Sequence, residues 1–296
     1  MSAKESAIRH HQLIITIYGL YCRGAGQAMP VSVLIDMLGD LGYDHSGVRS
    51  AVSRLKAKGV LRSVKDGNVA KYELSSMVAE LFLEGDERIF SAEPTNAARG
   101  WVLAIFSVPE ALRNRRHQLR TVLSGFGFGS ITSGVWVAPA SALERTKERL
   151  RALELDQFVD FFEGEHVANG DLPAKVAQWW HLASLDEQFA EFLALYADDV
   201  VKWTAKVGAD PERVLAESTA ELRRDAFRCY IPMLTNWRRF PYKDPGLAPE
   251  YLPKDWKGQA ARATFLEAHR LLAPLAAAHA RALMTKARAL PSGFIG

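Results

Sequence analysis

The sequence predicts an α+β fold, and three observations carry that prediction. Apolar residues recur at helical spacing through the first 60 positions, strand and helix patterns alternate between Trp101 and Glu165, and helical spacing dominates from Leu172 onward. At 296 residues the chain is long enough for two or three cores. We expect the boundaries at 1–85, 86–170 and 171–296.

In the first segment, "IRHHQLIITIYGLYCR" (8–23) places Leu13, Ile14, Ile17, Leu20 and Tyr21 on one helical face. Gly24 and Gly26 punctuate its end, and Pro30 suits the first turn of a second helix carrying Val31, Leu34, Ile35 and Leu38. After "GDLGYD", Asp44 is placed to cap a third helix at about 45–58. At 100° per residue, Val48, Ala51, Val52 and Leu55 share one side of that helix. The other side shows Ser46, Arg49, Ser50, Ser53 and Arg54, with Lys56 and Lys58 flanking and His45 in the first turn. No acid interrupts this face. Small hydroxyls allow close approach to a duplex, and arginine can read guanine edges with two hydrogen bonds.

"GVLRSVKDGNVAKYEL" then alternates around "DGN", the pattern of a β-hairpin with a positive-φ turn. Three helices followed by a basic hairpin make a winged helix-turn-helix. Between Asp44 and Lys71 seven Lys or Arg face two acids, a local excess of five positive charges in a chain whose net charge is only +3. Such clustering is the electrostatic footprint of phosphate binding. We expect Ser46, Arg49, Ser50 and Ser53 at base edges, Arg54 and Lys56 mainly on phosphates with Lys65 and Lys71 in support, and His45 against DNA or solvent. A solvated helical face is the plainer alternative for the same charges.

"EGDERIFSAEPTNAARG" reads as a polar connector. Beyond it come a strand (101–108), a helix burying Leu112, Leu119, Val122 and Leu123, a hairpin in "GSITSGVWVAP", a helix in "SALERTKERLRAL" and a last strand in "FVDFFEGE". The order β-α-β-β-α-β suggests a ferredoxin-like α/β sandwich. "GFGFG" follows a helix and lacks both the dinucleotide spacing and a P-loop lysine, so it reads as a turn. "RNRRHQLR" is either a solvated face or a supporting phosphate contact.

The last segment opens with two aromatic-rich helices. Another begins at Asp210-Pro211, and a further one holds Phe227, Tyr230, Ile231 and Leu234. Prolines 241, 245, 249 and 253 exclude an α-helix and favour an extended strap before the final helix.

These residues carry a resemblance. "LIITIYGLY", "MPVSVLIDMLGDLG" and "GVRSAVSRLKAKGVL", followed much later by "NWRRFPYKDPGLAPEYLPKDWKG", resemble the PaaX-type repressors of phenylacetic acid catabolism. "FSVPE" and "GVWVAP" fit as well, so the likeness spans nearly the whole chain. It implies a cytoplasmic homodimer that binds double-stranded operator DNA and is released by an aryl-CoA thioester, typically phenylacetyl-CoA. The family's middle domain also resembles the metal-dependent nucleases of CRISPR spacer acquisition. Those hold their metal with an aspartate at the end of the first strand, where this chain has Ser107.

A thioester effector needs cations and an aromatic-lined pocket. "NWRRFPYKD" offers Trp237, Arg238, Arg239, Phe240, Tyr242 and Lys243. The competing reading packs Trp237 and Phe240 in the core and pairs the arginines with acids. Two other functions compete with a repressor. A nuclease needs convergent carboxylates, and the acids of the middle segment are scattered. A thioester enzyme needs a nucleophile, and neither a nucleophile elbow nor a paired Cys–His motif is present. The eight histidines show no metal spacing, and Cys22 and Cys229 read as small hydrophobes. We therefore expect no catalytic residue, metal or cofactor. Nothing in the sequence reads as a signal peptide or a transmembrane run, so no membrane partner is expected.

Overall fold

The computed structural model describes residues 8–23, 27–66, 69–91, 100–167, 170–208 and 210–289. Its elements mix helices with two antiparallel sheets, the α+β class expected. Backbone contacts divide the chain into two compact units. One comprises residues 1–90, 192–237 and 262–296, and the other 91–191 and 238–261. The segment 171–296, expected as a domain of its own, is thus distributed over both.

The first unit begins with α1 (His10–Tyr21), β1 (Met29–Pro30), α2 (Val31–Asp40) and α3 (His45–Ala57). The hairpin of β2 (Leu61–Asp66) and β3 (Val69–Leu74) follows, then α4 (Ser76–Phe90). Leu13, Ile14, Ile17, Leu34, Ile35 and Leu38 are buried, as their spacing demands. Pro30 differs from expectation. It precedes the helix and pairs with Lys71 in a three-stranded sheet of order β1-β3-β2. Gly24, Gly26 and the Gly67-Asn68 turn lie outside the described residues. The polar connector also needs correction, because residues 84–90 continue α4. Val78, Phe82, Gly85 and Ile89 keep helical spacing through the charged stretch, and Ile89 is buried.

The same unit takes in most of α10 and α11. In α10 (Ala220–Trp237), Phe227, Tyr230, Ile231 and Leu234 are buried, and Thr235 donates its hydroxyl to Thr16 of α1 at 2.8 Å. From α11 (Gly258–Ala289), Phe265 stacks on Trp237 with ring centres 4.8 Å apart.

The second unit is built on a four-stranded sheet of order β5-β6-β4-β7, every pair antiparallel. The strands are β4 (Trp101–Phe106), β5 (Gly129–Thr132), β6 (Val135–Pro139) and β7 (Val159–Gly164), with α5 (Arg113–Gly125) and α6 (Leu143–Ala152) between them. Alternation sorts β4 cleanly. Val102 and Ala104 join Leu119 and Leu123 of α5 and Leu150 of α6 in one core, and Trp101 and Leu103 turn to the other face. Leu112 was expected inside. It ends a single 3₁₀ turn before α5 and is 42% exposed. On the second face, Val176 of α7 (Leu172–Trp179) and Trp180 pack with Val137 and Leu247. The helix α8 (Leu182–Val207) follows; its residues from Phe192 onward count with the first unit, as does the short α9 (Pro211–Glu217), which Asp210 caps.

The proline-rich stretch is less extended than expected. It contains 3₁₀ turns at Phe240–Tyr242 and Pro249–Tyr251, because the fixed φ of proline suits a tight turn as well as an extended chain.

Candidate nucleic-acid interface

The geometry of α3 starts from its cap. The amide of Gly47 donates to Oδ1 of Asp44 at 2.7 Å, and the Ser46 hydroxyl donates to the same oxygen at 2.7 Å. These hydrogen bonds, Ser46 first and Gly47 next, hold the Asp44 carboxyl down at about 2. Gly47 leaves room here for the His10 ring and the Asp44 carboxylate, which a Cβ would displace. Val48, Ala51, Val52 and Leu55 are buried, each larger side chain worth about 1.5–3 kcal/mol. That burial fixes the rotation of the helix. Residues 41–44 form a short turn between α2 and α3.

The opposite face is open. His45, Ser46, Arg49, Ser50, Ser53, Arg54, Lys56 and Lys58 are all exposed. Among the described residues no carboxylate lies within ion-pair distance of Arg49, Arg54, Lys56 or Lys58. Ser46 is the exception to the expected roles, since its hydroxyl proton already goes to Asp44.

The hairpin contributes less positive charge than the count implied. Arg62 faces Glu73 across β2 and β3, with Nε 2.8 Å from the carboxylate, and Glu73 is only 8% exposed. Glu73 lies two residues beyond the counted window, and only the strand register reveals the pair. Lys71 is half-buried in the central strand, between Pro30 and Val64. Lys65 is described by its backbone alone, in β2.

The arginine run of α5 divides. Arg116 donates to the Val108 carbonyl at 2.7 Å and pairs with Glu110, and Arg115 donates to the Leu153 carbonyl at 3.0 Å. Those contacts tie down two of the four cations that a phosphate would need.

The stretch expected to hold an effector is dispersed. Trp237 is 1% exposed, and its indole donates to the Ile89 carbonyl at 3.0 Å. It is therefore corrected to a core residue, with no surface left for a ligand. Phe240 is likewise buried, against Phe189 with ring centres 4.7 Å apart. Arg238 and Tyr242 are half-buried, Arg239 and Lys243 exposed. Of the six, Lys243 lines a cleft, together with Arg120, Trp136, Trp179 and Trp180. Reading along the chain missed that cleft, because its side chains come from separate elements.

Chemistry of other kinds finds little to build on. At the place of the expected aspartate, the Ser107 amide donates to the Phe158 carbonyl at 3.1 Å. Among the described residues no three His, Cys, Asp or Glu side chains converge as metal ligands. Burial pushes the Cys229 thiol up to about 12, far from a nucleophile at neutral pH. No helix among the described residues is long and apolar enough to cross a membrane.

Comparison with known proteins divides the chain into three matched regions. Residues 9–78 match the model of PaaX-like proteins, 94–176 the PaaX central Cas2-like domain, and 180–282 the PaaX-like C-terminal domain. The transcriptional repressor PaaX of Escherichia coli is 26% identical over 271 residues, which cover 90% of this chain and 81% of that protein. Among solved structures, the uncharacterized protein Rv0674 of Mycobacterium tuberculosis shares the fold. It matches with a TM-score of 0.52 and 23% identity over 94% of this chain and 99% of that one.

Proposed function

The chain belongs to the PaaX family, and from that premise we propose that it represses genes of phenylacetate-type aromatic-acid degradation. In this reading α1 to α3 with β1 to β3 form a winged helix-turn-helix over 1–85. Residues 86–170 form a ferredoxin-like sandwich and 171–296 the C-terminal helical segment. An aryl-CoA thioester such as phenylacetyl-CoA lifts the protein from its operator.

The observation that carries the proposal is the outer face of α3. It is exposed, free of acids and rich in small hydroxyls and unpaired cations, on a helix whose rotation the buried stripe fixes. That combination suits a helix lying in the major groove. One such helix reads a short half-site, so we expect a cytoplasmic homodimer on a pseudo-palindrome.

Selection of binding sites from a random duplex pool, followed by a gel shift with and without phenylacetyl-CoA, tests this. A palindromic consensus whose complex dissociates on adding the thioester is the expected result. A pool with no enriched sequence would remove the repressor reading.

A further inference from the structure

We propose that a cleft in the second unit binds a planar aromatic group that carries a negative charge. The cleft measures about 350 Å³, enough for an aryl acid or a nucleotide. Trp136, Trp179 and Trp180 supply indole faces, while Arg120, His181 and Lys243 supply charge or hydrogen-bond donors. Among the described residues no aspartate or glutamate lines it.

Its walls are built to close tolerances. Trp180 donates its indole N–H to the Gly127 carbonyl at 2.8 Å, and a Cβ on Gly129 would come within 2.7 Å of the Trp180 ring. The "GFGFG" stretch therefore needs glycine so that β5 can approach an indole. Trp179 is half-exposed and leaves part of its surface to a ligand. His181 holds a left-handed backbone, φ 50°, at the break between α7 and α8, a conformation that strains a residue with a Cβ.

Two features of the lining remain unanswered by the protein itself. Trp136 is 7% exposed, and its buried indole N–H has no hydrogen-bond partner among the described residues. Buried donors are seldom left this way. The Arg120 guanidinium lies 5.8 Å from the centre of the Trp136 ring, with no carboxylate in reach among the described residues. Lys243 donates to Gln188 at 2.7 Å, and its amine is pushed down by burial and then by the charge of Arg239. An anion in the cleft would relieve that crowding of positive charge, and aromatic rings beside cations select a ligand with both properties.

Two sources present this chemistry, a free aromatic acid and the adenine nucleotide end of a CoA thioester. Only the choice of probes rests on the repressor reading. The full chain is titrated with phenylacetate, with CoA and with phenylacetyl-CoA, following tryptophan fluorescence and calorimetry. Wild type is compared with Arg120→Gln, Lys243→Gln and Trp179→Leu after circular dichroism shows each folded. We expect at least one probe to bind and each variant to weaken it tenfold or more. Binding of phenylacetate alone assigns the acid, and binding of both CoA and its thioester assigns the nucleotide end. Absence of binding by all three probes overturns the proposal, as does affinity that none of the variants alters. Thioester binding that Arg120→Gln leaves at wild-type affinity, with equal release of DNA, removes the cleft as the thioester's site while leaving the repressor standing. A chain that selects no DNA sequence removes the repressor reading, and the titration still decides the cleft.

Discussion

Nε2 of His279 lies 2.7 Å from Oδ2 of Asp40, both largely buried, so the last helix grips the end of α2 just before α3 begins. Arg228 of α10 donates to the backbone carbonyl of the same Asp40 at 2.7 Å. Two C-terminal helices thus satisfy one residue of the N-terminal module. Replacing His279 by leucine leaves a buried carboxylate oxygen without its donor, which costs about 1–3 kcal/mol. Urea denaturation should show the midpoint fall with the slope unchanged. A midpoint equal to wild type would mean the pair holds nothing together.

The cap of α3 gives a dependence on pH. Hydrogen bonding lowers the Asp44 carboxyl to about 2 in the folded protein, below its usual value near 4. A depressed carboxyl stabilises the fold above its unfolded value, and that contribution is lost as pH falls through the folded one. Asp44→Ala should therefore lower the melting temperature by a constant amount above about pH 4. The gap to wild type should close as pH drops toward 2. Melting curves at half-unit steps check this, and a gap that persists at the acid end would contradict it.

How much of this was legible in the sequence differs by element. The face of α3 could be read because a single buried stripe at period 3.6 determines what the other side shows. The order β-α-β-β-α-β was equally clear, since short apolar runs with glycine or proline at one or both ends alternate with helical spacing. The division into units was not. It depends on pairs such as Thr16 and Thr235, 219 positions apart, and no local pattern encodes them. The charges of "EGDERIF" hid the end of α4, although Ile89 kept its helical register. Trp237 looked like a ligand group because its neighbours are cationic, yet an indole that donates to a backbone carbonyl is content in a core. The cleft was invisible for a related reason. Arg120, Trp136 and Trp179 come from α5, β6 and α7 and meet only after folding.

The hairpin of β2 and β3 yields a prediction opposite to the usual loss of function. Glu73 neutralises Arg62 across the hairpin, so Glu73→Gln should free one cation near the DNA. Affinity for any duplex should rise, and the dependence of log K on log salt should steepen by about 0.9 if Arg62 then meets a phosphate. Filter binding from 50 to 300 mM salt measures both on this chain. Unchanged slope and affinity would place Arg62 away from the duplex.

The orientation of α3 itself is tested by pairing two substitutions on its exposed face. Arg49 is exposed on the flank of α3, about 110° from the centre of the buried stripe, and Lys56 lies in the last turn of the helix. If the outer face enters the major groove, Arg49 reaches a base edge and Lys56 a phosphate. Arg49→Ala should cost about 1–3 kcal/mol on the selected site and relax the preference at one base position. Lys56→Ala should weaken selected and random duplexes alike and reduce the salt slope. Competition gel shifts with single-base variants of the site separate the two patterns. Equal losses on both kinds of DNA for Arg49→Ala would make it a phosphate contact. The helix would then have to be turned about its axis, which the burial of Val48, Val52 and Leu55 resists, or moved out of the groove altogether.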